Sequence, residues 1–162
     1  MADTNRAVEK LQGKFAASVV EVKNDRGDWI VTVKKEDVVA VLDFLKKECA
    51  FTMLTDVTAI DYLGKAADRF MMVYQLTSVI HKDRIRVKAA VAESDCCIGS
   101  ATQVFASANW LEREVYDLFG ITFDKHPDLR RILMTPDWVG YPLRKDYPLQ
   151  GPDREPYKGR LS

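Results

Sequence analysis

The first 126 residues contain no proline, and all six prolines (Pro127, Pro136, Pro142, Pro148, Pro152, Pro156) follow them. Proline removes a backbone donor and fixes φ. Its absence leaves the first part open to regular helices and strands, and its return marks a turn-rich, extended segment. No run of about 18 apolar residues occurs, which excludes a membrane-spanning helix. The three cysteines, Cys49, Cys96 and Cys97, are odd in number and two are adjacent. Neither a disulfide framework nor the four spaced thiolates of an iron–sulfur cluster fits them. Charge of one sign is also lacking. Lys plus Arg number 24 and so do Asp plus Glu, so no net field draws nucleic acid or an anionic membrane. The eight glycines are scattered singly, which excludes the Gly-rich nucleotide loops. The N-terminus lacks the charged-then-apolar layout of a secretory signal, and the cytoplasmic side is the expected address.

What is present is the material of one domain. A chain of 162 residues that is 47% apolar can bury a core without staples. Val8, Leu11 and Phe15 recur at helical spacing. Alternation on both sides of the turn Asn24-Asp25-Arg26-Gly27 predicts a β-hairpin. Val38, Val41, Leu42, Leu45 and Cys49 draw one stripe along a helix over about 36–48. Strand-like runs follow at about 54–62, 69–78 and 84–91. The order α-β-β-α-β-β-β predicts an α+β fold, a two-layer domain over residues 1–108 with helices on one face of a mixed β-sheet. The mixture is expected from a crossover through the helix between strands two and three. Residues 109–162 follow as a helix ending at Gly120 and an extended C-terminal arm, part of the same structural unit.

Several groups invite chemistry. Glu112, Arg113, Glu114 and Asp117 form the densest acidic cluster. Glu112 and Glu114 diverge on a helix, Glu114 and Asp117 can converge, and Arg113 stands four before Asp117 in pairing range. The plain reading is an ion-paired helix; the sharper one is a small acid–base enzyme using Glu114, Asp117 and His126. His126 beside Pro127 fits a turn or a hydrogen-bond donor, and no metal-ligand spacing surrounds it. His81 falls in a predicted hairpin turn. From residue 109 onward, nine basic and nine acidic residues are interleaved with eight aromatics. Aromatics beside Arg are the residue types of protein interfaces. The segment is expected either to wrap its own domain or to lie on a partner, and its composition favours the partner.

The order of these residues carries a resemblance. The run Asn109-Trp110-Leu111-Glu112-Arg113-Glu114-Val115-Tyr116-Asp117-Leu118-Phe119-Gly120-Ile121 is similar to the signature of the C subunit (30 kDa subunit) of NADH:quinone oxidoreductase, respiratory complex I. It continues through His126-Pro127-Asp128-Leu129-Arg130-Arg131-Ile132-Leu133 and Gly140-Tyr141-Pro142-Leu143-Arg144-Lys145-Asp146-Tyr147-Pro148-Leu149. Tyr141 stands where many members carry His. The upstream stretch 54–62 resembles the family more loosely.

The resemblance implies a subunit of the hydrophilic arm, peripheral on the cytoplasmic face of the cell membrane and without its own catalytic residues. It implies no cofactor on this chain, although the whole complex carries FMN, iron–sulfur clusters and quinone. The implied partners are the D and B subunits, braced as they pass electrons to quinone. A homologous subunit of a membrane-bound hydrogenase or another donor-fed complex is the alternative. On this reading Trp110, Glu112, Arg113, Glu114, Asp117, Gly120, His126 and Pro127 are structural, with Trp110 and Phe119 packed inward. Arg130, Arg131, Asp137, Arg144, Lys145, Asp146 and Tyr147 face outward toward the partners.

Overall fold

The computed structural model describes residues 2–151. The expected end of the arm, residues 152–162, lies outside the described residues.

Helix α1 (Ala2–Lys14) is followed by the hairpin β1 (Val19–Asp25) and β2 (Asp28–Val33). Arg26 and Gly27, at φ 54° and 93°, make the two-residue turn between them, the left-handed pair that matches the strand twist. Helix α2 (Val38–Cys49) leads to β3 (Met53–Asp61), β4 (Phe70–Ser78) and β5 (Asp83–Val91). The five strands form one sheet in the order β1-β2-β5-β4-β3. β2 and β5 are parallel, and the remaining neighbours are antiparallel. The sheet is mixed, as the element order implies. The parallel pair is not formed by strands two and three, however. The crossover from β2 takes in α2, β3 and β4 before β5 returns beside it. A β3–β4–β5 meander makes this the economical arrangement, since each hairpin pairs locally and β5 keeps a free edge to offer.

The period-two pattern sends Val31 and Val33, Met72, Tyr74 and Leu76, and Ile85, Val87 and Ala89 to one buried face. Helix α1 covers it with Val8 and Leu11, and α2 covers it with Val41, Leu42 and Leu45, all at 2% exposure or less. Phe15 meets Phe44 edge-on at 5.5 Å, closing the layer between these two helices. Helix α3 (Ala108–Phe119) packs against β3. Two short strands lay outside the sequence expectation: β6 (Cys97–Gly99) and β7 (Thr122–Asp124) pair in parallel. At three residues each, neither shows a readable period. They matter because they fix where the chain leaves α3.

Helix α2 ends on Ala50 in the left-handed region, φ 58°, with the Phe51 N–H bonded to the Leu45 carbonyl. Glycine takes this position without a Cβ penalty. Ala50→Gly is expected to raise stability by about 0.5 kcal/mol, the relieved strain exceeding the added chain entropy. Denaturant titration checks this, and an unchanged or lowered midpoint contradicts it.

Candidate functional site

Helix α3 ends at Gly120, φ 75°, with the Gly120 N–H bonded to the Tyr116 carbonyl. A Cβ at this position would lie 2.5 Å from the Tyr141 ring and 2.8 Å from the Arg144 guanidinium. Only glycine provides both the left-handed turn and the room for these side chains. From there the chain runs back over its own domain.

Asp117 holds this return. Its carboxylate is fully buried. One oxygen accepts from Arg131 Nη1 at 2.6 Å. The other accepts the backbone N–H groups of Ile132, Leu133 and Met134 at 3.0, 2.7 and 2.8 Å. Burial pushes the carboxyl upward, but the Met134 N–H, Arg131 and the Leu133 and Ile132 N–H groups outweigh it and hold Asp117 below the ordinary range. Arg131 also donates to the carbonyls of Asp117 and Gly140.

A second buried carboxylate, Asp61 at the end of β3, holds the chain further on. Arg69 grips it through Nε at 3.1 Å and Nη2 at 2.9 Å. The N–H groups of Lys145 (2.8 Å) and Leu63 (2.9 Å) complete its shell. Arg69 reaches Asp146 at 2.6 Å and Glu93 at 2.5 Å as well. Asp61 foremost, then Asp146, raises the Arg69 pKa. Between the two clamps, cations and rings alternate. Arg131 lies 5.4 Å from Tyr141, Arg144 lies 4.6 Å from Tyr141 and 5.1 Å from Phe70, and Arg69 lies 5.0 Å from Phe70. Arg144 Nε donates to the Phe119 carbonyl at 2.6 Å.

Glu112 serves a different loop. It is fully buried and accepts from Ser100 Oγ and the Ala101 N–H, both at 2.7 Å. His126 Nε2 is 4.0 Å away and instead meets the Asn109 carbonyl at 3.1 Å. His126 Nδ1 accepts the Asp128 N–H. That pair of contacts assigns the proton to Nε2 and makes His126 a brace for the turn at Pro127. Burial, with no cation against it, pushes Glu112 up to about 7 despite its two hydrogen bonds. The Tyr74 hydroxyl, raised first by burial and then by the Glu112 charge, is buried without a hydrogen-bond partner among the described residues.

Several expectations change here. Trp110 does not pack inward: it is 59% exposed while Phe119 is buried, because the inward face of α3 is set by Glu112, Val115 and Phe119. Arg113 does not pair with Asp117. It donates to the carbonyls of Arg130 and Arg131, and Arg131 occupies Asp117 instead. Glu114 is exposed and Asp117 buried, so with His126 beside Asn109 the three do not converge as an acid–base site. Arg131 and Arg144 do not face outward but turn to the chain itself, whereas Asp146 stays exposed while accepting from Arg69. Arg130, Asp137 and Lys145 stay exposed, and Tyr147 is half-buried against Gly140. The sequence reading missed Asp61 and Arg69. Asp61 occupies a core-facing strand position, and a charge at such a position was the available cue. Among the described residues no three His, Cys, Asp or Glu side chains gather where they would hold a metal ion, and no helix is long and apolar enough to cross a membrane.

The geometry defines a two-layer α+β domain whose C-terminal loop is clamped to it by buried carboxylates. The sequence matches the family described as respiratory-chain NADH dehydrogenase, 30 Kd subunit, over residues 31–153. The C subunit of the NADH-quinone oxidoreductase of Trichlorobacter lovleyi is 85% identical over 162 residues, all of both chains. A solved structure titled as Nqo5 of the trypsin-resistant fragment (1-134) is 32% identical with a TM-score of 0.70, covering 78% of this chain and 99% of that one. A chain of the membrane-bound sulfane sulfur reductase, an archaeal respiratory membrane complex, is 25% identical with a TM-score of 0.72, covering 90% and 86%. The fold is thus one used by components of respiratory membrane complexes. This chain belongs to the family of the 30 kDa subunit of respiratory-chain NADH dehydrogenase, the C subunit of complex I.

Two outcomes follow from the clamps. Asp117→Ala strands Arg131 and three N–H groups and is expected to cost about 3 kcal/mol, read by chemical denaturation. A loss under about 1 kcal/mol contradicts the clamp. Glu112 has a raised folded pKa, so its stabilising contribution is complete below its ordinary 4.5 and fades as pH rises through about 7. Asp117 and Asp61, held low, act oppositely and only on the acid side. Glu112→Gln is therefore expected to abolish a fall in melting temperature between about pH 5 and 8 that the unaltered protein shows. Parallel melting profiles for the two proteins contradict it.

Proposed function

We propose that the chain braces the hydrophilic arm of the complex, holding its neighbours in register without carrying a cofactor. The observation that supports this most is the division within the clamped loop. Arg131 and Arg144 turn inward while Leu133, Val139, Leu143 and Leu149 are each about half exposed or more. A loop rigid before contact loses little entropy on docking, and apolar side chains with charged rims are the anatomy of an interface. Arg130, Asp137, Lys145 and Tyr147 form that rim. Arg131 and Arg144 act from behind, by holding the loop in shape, and the exposed Asp146 ties it to Arg69. The neighbours assigned to this surface are the D and B subunits, on the cytoplasmic face of the membrane. The match to a chain of an archaeal sulfur-reducing membrane complex supports a second reading, in which a different electron donor feeds the same scaffold.

Affinity purification of the tagged chain from its own membranes is expected to recover the D and B subunits. Leu133→Asp with Val139→Asp should lower that recovery at least about tenfold with circular dichroism unchanged. Recovery of neither neighbour by the unaltered chain overturns the proposal. The large subunit of a sulfur reductase or hydrogenase in their place establishes the second reading.

A further inference from the structure

All three helices cover one face of the five-stranded sheet. The other face has no second layer among the described residues. Strand alternation brings Arg84, Arg86 and Lys88 of β5, which lies between β2 and β4, to this open face. Two shallow cavities lie along it, of about 280 and 560 Å³. Four cations line them, Lys82 of the β4–β5 turn and the three on β5, against one carboxylate, Asp56. The excess is confined to this part, since the cavity over Thr32 and Ala90 mixes Lys34 and Lys35 with Glu36, Asp68 and Asp95. At one end the floor is apolar, with Met53 and Val79 at 50% and 63% exposure. Arg86 is fixed by donating to the Gln75 side chain at 3.1 Å, while Arg84 is exposed and makes no hydrogen bond among those between described residues. The basic row therefore stands in contrast to the clamped loop, where Arg131 is matched by Asp117, Arg144 by Glu93 and Arg130 by Asp128.

From this contrast we infer that the open sheet face is a second docking surface, and that it takes an acidic segment of a neighbouring protein in the complex. Carboxylates of that segment lie over Arg84, Arg86 and Lys88, and an apolar side chain seats against Met53 and Val79. The charge imbalance selects the occupant. A second copy of this chain would bring the same cations against each other, which costs several-fold in affinity per like pair. The inference rests on the bracing role proposed above and deepens it, since a brace needs two contacts on different sides. The sheet itself separates this face from α3 and the loop that α3 clamps.

The test uses the assembled complex. A photo-crosslinking residue is placed at Thr58 on the open face, and separately at Val139 on the clamped loop as a control. The Thr58 position is expected to capture an acidic stretch of a neighbouring protein. That product should fall at least about tenfold when Arg84, Arg86 and Lys88 are each changed to Glu, with the Val139 product retained. In the unaltered complex the same product should weaken as salt is raised, which keeps the test valid if the triple variant misfolds. No product from Thr58, a product with a second copy of this chain, or one indifferent to both salt and charge reversal overturns the inference. If Val139 captures a neighbour while Thr58 does not, only the second surface falls. If neither position captures a neighbour, the bracing role falls with it.

Discussion

The arrangement depends on a carboxylate that has no exposure to water. Burying Asp117 unpaired would cost several kcal/mol. It is tolerated because the loop returning from Gly120 brings Arg131 and three consecutive N–H groups to its two oxygens. The dependence runs both ways. Residues 131–134 have no helix or strand to satisfy their amides, and the carboxylate supplies the partners that regular structure would otherwise supply. Asp61 repeats this device at the Lys145 amide. Gly120 is the hinge that lets one loop reach both.

This geometry explains the spacing in the α3 segment. Glu112 and Asp117 are five residues apart, so they leave the helix in different directions. One holds the Ser100–Ala101 turn and the other holds the returning loop. They are two anchors for two loops. His126 adds a third tie, between the turn at Pro127 and the start of α3. The clamps leave Leu133, Val139 and Leu143 to the surface, and rigid presentation of apolar side chains follows from charges kept inside.

Much of the fold was legible because periodicity is local. The α1 and α2 stripes, the Arg26–Gly27 turn and the three long strands all follow from residues near one another. The pairing of β2 with β5 was not, because a parallel pair joined through a hairpin leaves no trace at any one position. The short strands β6 and β7 lacked a period to read. For the site, the acidic cluster was legible but its partners were not. Arg113 at helical spacing is the local choice for Asp117, yet Arg131 arrives from outside the helix with better geometry. Trp110 was misplaced for a related reason: an aromatic implies burial only when the helix face is known, and here buried Glu112 sets that face.

The β2–β5 pairing has a consequence for how the molecule comes into being. Trp29 pairs with Ile85, so the sheet cannot close until most of the domain has been synthesised. The contacts of highest sequence separation form late and slowly. The last ties come later still, since the Lys145 amide reaches Asp61 across 84 residues. The outward-facing loop therefore takes its shape only once the domain behind it is complete. A nascent or misfolded chain would not display it, so under the proposed bracing role only a finished domain docks.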